Sequence, residues 1–111
     1  MKKHYRVTSN QDFATAVHKG GHNRNNSYTI HFMNNNLGYV RVGISVSSKL
    51  GNAVTRNRVK RQIRAMCDRL IEFQNSSYDL IIIAKNNFLS SSYQTNYMEL
   101  GELLRKSELI K

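Results

Sequence analysis

Residues 39–73, YVRVGISVSSKLGNAVTRNRVKRQIRAMCDRLIEF, change their hydrophobic period partway along. In YVRVGISV, Val40, Val42, Ile44 and Val46 alternate with Tyr39, Arg41, Gly43 and Ser45, which predicts a strand with one buried face and one open face. From about Val54 the apolar spacing becomes helical. With successive residues about 100° apart and Arg56 set at zero, Val59, Ile63, Met66, Cys67 and Leu70 share one arc of about 100°. A core-facing helix running to about Phe73 is the expectation. On the same wheel Arg56, Asn57, Lys60, Arg61 and Arg64 fall between about 0° and 140°, beside the apolar arc and away from Arg58 and Arg69.

Working outward, YDLIIIA (78–84) is a short continuous apolar run between QNSS and KNN, which suits a strand buried on both faces. YTIHFM (28–33) has aromatic and β-branched strand character, with Tyr28, Ile30 and Phe32 on one face and Thr29, His31 and Met33 on the other. QDFATAVHK reads as a helix over about residues 10–19 with Phe13, Ala16 and Val17 on one side. Thr8, Ser9 or Asn10 can cap it, Thr8 and Gln11 have capping-box spacing, and Gly20-Gly21 can end it in a left-handed cap. Serines at 90–92 precede a last helix over about residues 92–106, with Tyr97, Leu100, Leu103 and Leu104 at helical spacing. These elements predict an α+β fold of helices on a small sheet. The helix between two strands permits a parallel crossover. Neither repeat nor linker divides residues 1–111, so one domain with one core is expected.

Seventeen Lys and Arg against seven Asp and Glu give a net charge of +10, which favours a polyanionic partner. From Phe13 to Cys67 there is no carboxylate, while Lys19, Arg24, Arg41, Lys49, Arg56, Arg58, Lys60, Arg61 and Arg64 all lie there. Like charges at i,i+4 cost a few tenths of a kcal/mol per pair, and a stripe serving solubility alone would mix signs. Nucleic-acid binding is therefore favoured over a merely solvated face. Gly51 permits close backbone approach, Asn52 and Thr55 can cap, and first-turn N–H groups attract anions. Lys49 stands just before this turn, and Asn57 could bond a base edge, a sugar hydroxyl or a metal-bound water. Phe13, Tyr28, Phe32 and Tyr39 could offer stacking surface, although each alone is more often core.

Protein-borne catalysis is disfavoured. A metal-dependent phosphodiesterase needs carboxylates around its ions, and the basic half has none. His18 and His22 are separated by the glycine break, and His4 and His31 have no evident partner. Cys67, the one cysteine, excludes an internal disulfide and reads as a small buried hydrophobe. No apolar run reaches the roughly 18 residues of a membrane span, and MKKHYRVTSNQDF lacks a signal peptide's apolar stretch, so a cytoplasmic protein is expected.

Lys49 to Arg64, KLGNAVTRNRVKRQIR, resembles the signature K-x-G-x-A-V-x-R-N-x-x-K-R-x-x-R of the bacterial ribonuclease P protein family. The DF helix, the RVGISVS and YDLIIIA strands and the terminal helix extend the resemblance over nearly the whole chain. It implies a helix-flanked, four-stranded mixed sheet in the order α-β-β-β-α-β-α, with a left-handed βαβ crossover and a further short strand near residues 22–26. It implies the accessory subunit of a ribonucleoprotein endoribonuclease, whose RNA subunit, with magnesium held mainly by RNA and none by the protein alone, cleaves precursor tRNA at the mature 5′ end. The implied partners are the catalytic RNA and precursor tRNA, with no membrane and no obligate protein partner. RNA-binding positions would be Lys49, Gly51, Asn52, Arg56, Asn57, Arg58, Lys60, Arg61 and Arg64, with Arg58 peripheral. A cleft for the single-stranded 5′ leader would involve Phe13, Val17, His31 and Arg41. Val17 replaces a frequent aromatic, His31 a common tyrosine and Ser48 a frequent lysine, which implies reduced or shifted stacking in that cleft. The alternatives are a ribosomal or general RNA chaperone protein and a protein-only nuclease.

Overall fold

A computed structural model describes residues Met1–Lys111. The alternating segment forms β3 (Arg41–Ser45), and the helical segment forms α2 (Ala53–Leu70). YDLIIIA forms β4 (Tyr78–Ala84), which is parallel to β3, so α2 is the crossover between two adjacent strands. β2 (Tyr28–Asn34) pairs antiparallel with the other side of β4, and β1 (Gly21–Arg24) pairs antiparallel with β2. The sheet order is β1-β2-β4-β3. β1 is the further strand that the family resemblance implies; its sequence, GHNR, carries no apolar pattern because an outer strand buries little.

Two faces of the sheet have different roles. Tyr28, Ile30, Val42, Leu80 and Ile82 join Val59, Ile63, Met66 and Cys67 of α2 in a core of 19 buried residues. Leu100, Leu103 and Leu104 complete that layer from α4 (Tyr93–Lys106). A short α3 (Asn87–Ser90), absent from the sequence reading, inserts Phe88 beside it. On the opposite face, His31, Ile81 and Gly43 stand in one cross-strand row. There the ring of Phe13, from α1 (Asn10–Lys19), lies within 3.3 Å of where a Gly43 Cβ would stand. A Cβ at residue 43 would also stand 2.9 Å from Ile81 Cδ1, so a side chain there would have to shift both the Ile81 tip and the Phe13 ring.

Of the three N-cap candidates, Ser9 caps α1, its Oγ accepting from the Asp12 N–H. Other local details depart from the sequence expectations for tertiary reasons. Gly20 is extended (φ −87°, ψ −178°), so the helix does not end in a left-handed cap. Glycine is needed there because a Cβ would fall 2.2 Å from the Phe32 carbonyl oxygen of β2. α2 stops at Leu70, short of Phe73; Ile71 is extended, and the Phe73 carbonyl accepts from the Val40 N–H at 2.8 Å. Before α1, the Val7 N–H donates to Val42 O, which lays the N-terminal segment along the outer edge of β3. No helix is long and apolar enough to cross a membrane.

Candidate nucleic-acid interface

The start of α2 is built by three consecutive devices. Ser47 Oγ accepts from the Lys49 N–H and begins a short 3-10 turn, Ser48–Leu50. Gly51 then takes φ 149°, ψ −170°, in the positive-φ region that favours glycine. Asn52 follows as N-cap, its Oδ1 accepting from the Thr55 N–H at 3.0 Å. Helix geometry leaves the earlier first-turn N–H groups without intrahelical acceptors, and Asn52, Ala53 and Val54 are all exposed around them. The resulting end is open, positive and free of side-chain carboxylates in its first turn.

Along the stripe, Asn57 and Arg61 are exposed, while Arg56, Lys60 and Arg64 are half-buried beside the core. Lys49 and Arg58 are also exposed, but Arg58 occupies the other flank of the helix, as the wheel predicts. The ion pairs of the protein are Met1 amino group–Asp68, Arg41–Asp12 and Arg41–Asp79, so no cation of the stripe is paired with a carboxylate. Arg56 Nε is buried and has no hydrogen-bond partner. Burial first, and then the nearby charge of Arg6, lowers the Arg64 guanidinium below its usual range; arginine nevertheless stays charged at neutral pH. Arg6, whose own Nε is buried and unpartnered, is a member of the cationic surface that sequence reading missed. The N-terminal segment brings it there by running beside β3, a long-range placement without a local signal.

The second region lies between α1 and the sheet. Phe13, Val17 and His31 are half-buried there or near it. Arg41 is already occupied: its Nε donates to Asp79 Oδ1 at 2.9 Å and its Nη2 to Asp79 Oδ2 at 2.7 Å, with Asp12 Oδ2 at 3.3 Å. Its charge is therefore largely neutralised within the protein. Tyr28 is fully buried, its hydroxyl donating to Asn96 O, and Phe32 packs against the core. Tyr39 belongs to a cluster with His4 and Tyr5. Of the aromatics considered from sequence, Phe13 is thus the one seated against the α1 face of the sheet.

His31 has partners that its sequence position did not reveal. Pairing of β1 with β2 sets it opposite His22, with ring centroids 5.9 Å apart, and His18 also contributes charge repulsion. Burial is the largest cause lowering the His31 pKa from 6.5, followed by His22 and His18. Its Nδ1 is buried without a partner. The folded protein therefore resists protonating His31 while the unfolded chain accepts the proton, so this contribution to stability is full above pH 6.5 and shrinks as pH falls below it. An NMR titration should give His31 a midpoint below 6.5, and a midpoint above it would contradict the buried placement. Cys67 is inert by comparison: burial pushes its thiol up to about 12.

The chain as a whole is similar to characterised proteins in sequence and in fold. The sequence model of a family described as Ribonuclease P matches residues 1–108. The ribonuclease P protein component of Mesoplasma florum is 42% identical over 105 residues, covering 94% of this chain and 96% of its own length. That of Streptococcus thermophilus is 40% identical over 112 residues, covering 100% of this chain and 99% of its own. The Staphylococcus aureus RNase P protein structure superposes with a TM-score of 0.87 at 32% identity, covering 96% of this chain and 98% of that one. The Thermotoga maritima RNase P protein gives a TM-score of 0.80 at 27% identity over 91% and 96% of the two chains.

Proposed function

The chain belongs to the ribonuclease P protein family, and from that premise we propose that it binds the catalytic RNA through α2 and the 5′ leader of precursor tRNA through the α1–sheet cleft. The observation that carries this reading is the stripe of Arg56, Lys60, Arg61 and Arg64, unpaired with any carboxylate and headed by the Gly51–Asn52 turn. Guanidinium forks and first-turn N–H groups there suit phosphate oxygens. Asn57, exposed one residue after Arg56, can bond a sugar or base edge. In the cleft, Phe13 offers a ring edge to a leader base, with Val17 and His31 as neighbouring walls.

In this reading RNA carries the hydrolytic chemistry and the protein positions the RNA chains, in the cytoplasm. Magnesium is a hard cation that takes oxygen ligands. The first turn of α2 presents no carboxylate, and the stripe that follows offers cations to RNA phosphates. We assign magnesium to the RNA subunit.

Reconstitution tests the proposal. Adding the protein to its cognate catalytic RNA at low magnesium should raise cleavage of precursor tRNA. A substrate without leader should lose roughly tenfold or more of the affinity gained, because a stacked base contributes about 1–3 kcal/mol. Equal enhancement of leaderless substrates and unrelated RNAs would instead indicate a general RNA chaperone. Cleavage by purified protein alone would indicate a protein-only nuclease.

A further inference from the structure

Three histidines from three elements meet where α1 turns back into β1. His22 faces His31 across the β1–β2 pair, and His18, in the last turn of α1, is near enough to oppose a proton on His31. No carboxylate pairs with any of the three. His18 and His22 are exposed. Of the two ring nitrogens of the half-buried His31 only Nδ1 is sealed off, so Nε2 is the one that reaches the surface.

The strand register fixes what surrounds them. His22 and His31 share a cross-strand row with Ile81 and Gly43, and Phe13 lies over the far end of that row. The adjacent row on one side is Arg41, Asp79 and Met33, and on the other Ser45, Ile83, Thr29 and Arg24. Asp79 and Asp12 of α1 are both held by Arg41, so neither is free to compensate charge on an imidazole. Arg24, one row away, and Lys19, next to His18 in the chain, are exposed cations. The corner therefore gathers titratable nitrogens and fixed positive charge with no acid of its own.

We propose that His18 and His22, at this corner beside His31, hold a backbone phosphate of the 5′ leader and take up a proton as they do so. A phosphate oxygen accepts a charge-assisted hydrogen bond from a protonated imidazole and supplies the negative charge that the protein lacks there. His31 is the neutral wall of the site, because a proton added to it would leave Nδ1–H buried without an acceptor. The leader is the RNA concerned because Phe13, the ring offered to a leader base, overlies the same row two strand spacings from His31, about 10 Å away. A nucleotide chain seated on Phe13 can thus run toward the histidines. Protonation and leader binding then strengthen each other by the same factor. The inference rests on the leader-cleft reading and adds to it a contact whose strength depends on pH.

The unaltered full chain, assembled with its catalytic RNA, tests it. Affinity for a noncleavable precursor tRNA is compared with affinity for the same tRNA without its leader, at about pH 5.5 and about pH 8, either side of the ordinary histidine range. The affinity that the leader adds should fall about fivefold from the lower pH to the higher, the difference between a charge-assisted and a neutral hydrogen bond. Calorimetry at about pH 6.5 in two buffers of unlike ionisation heat should show proton uptake with the leader present and less without it. The double variant His18→Gln with His22→Gln keeps polar side chains that do not titrate, and it should remove both the pH dependence and the leader-linked uptake. Thermal unfolding at both pH values checks that the fold is retained. A leader contribution that is present but constant with pH overturns the phosphate contact and leaves the leader cleft standing. Persistence of the pH dependence in the double variant assigns it to the RNA bases and likewise overturns the contact. No leader contribution at either pH overturns the cleft reading and the histidine contact with it.

Discussion

Asp79→Ala should destabilise the protein by about 3 kcal/mol, visible as a lower urea midpoint at unchanged slope. The Asp79 side chain is only 8% exposed and that of Arg41 19% exposed. Their two-pronged contact lies on the α1 face of the sheet, where Asn35 Nδ2 also donates to Asp79 Oδ1 at 2.9 Å. Removing the carboxylate leaves a largely desolvated guanidinium with Asp12 alone, and Asp12 is 45% exposed. Asp79→Asn, which keeps an acceptor, should cost less than alanine. The double change Arg41→Met with Asp79→Leu should recover much of the loss, because it deletes both charges and fills the space. If Asp79→Ala unfolds with the parent, the ion pair has no structural role. Arg41 would then be available to a leader phosphate. With the pair intact, Arg41 acts first as structure, and its replacement should lower stability more than it lowers leader affinity.

The largest effect on function is expected at Arg56 and Arg64. Each alanine variant should weaken RNA affinity by about tenfold or more, since a charge-assisted hydrogen bond contributes about 1.5–3 kcal/mol. Arg58→Ala should lose several-fold less, as befits a single phosphate contact on the far flank. Equal losses at all three positions would contradict the division of α2 into two flanks. Stability offers a separate readout. Arg64 is already repelled by Arg6 and partly desolvated in the free protein, so Arg64→Ala should leave the melting temperature unchanged or raise it while binding falls. The parent should lose roughly a hundredfold or more in affinity between about 50 and 200 mM salt if five phosphates are neutralised. The slope should flatten by about one contact in each variant.

Much of this arrangement was legible because its elements announce themselves by period. Val40, Val42 and Val46 on alternate positions, then Val59, Ile63, Met66 and Cys67 at helical spacing, specify β3 and α2 from local sequence. The buried run of β4 is equally plain. What escaped depends on long-range placement. GHNR becomes a strand only because β2 offers it an edge, and that same register sets His22 against His31. Gly20 is required by the Phe32 carbonyl, not by its own dihedral angles. Arg6 reaches Arg64 only after the N-terminal segment has settled beside Val42. Within the site, the stripe was readable from spacing on one helix. The neutralisation of Arg41 was not, since Asp12 and Asp79 come from α1 and β4.

The sheet order also dictates an order of assembly. β4 lies between β2 and β3 and is the last strand to be synthesised. Until the ribosome has delivered residues 78–84, β3 lacks its sheet neighbour and β2 can pair only with the four-residue β1. Closing the β3–α2–β4 loop incurs its entropy before its contacts form. The RNA-reading helix therefore acquires its fixed bearing late, after most of the chain exists, so a nascent protein cannot present a finished docking surface before its central strand is in place.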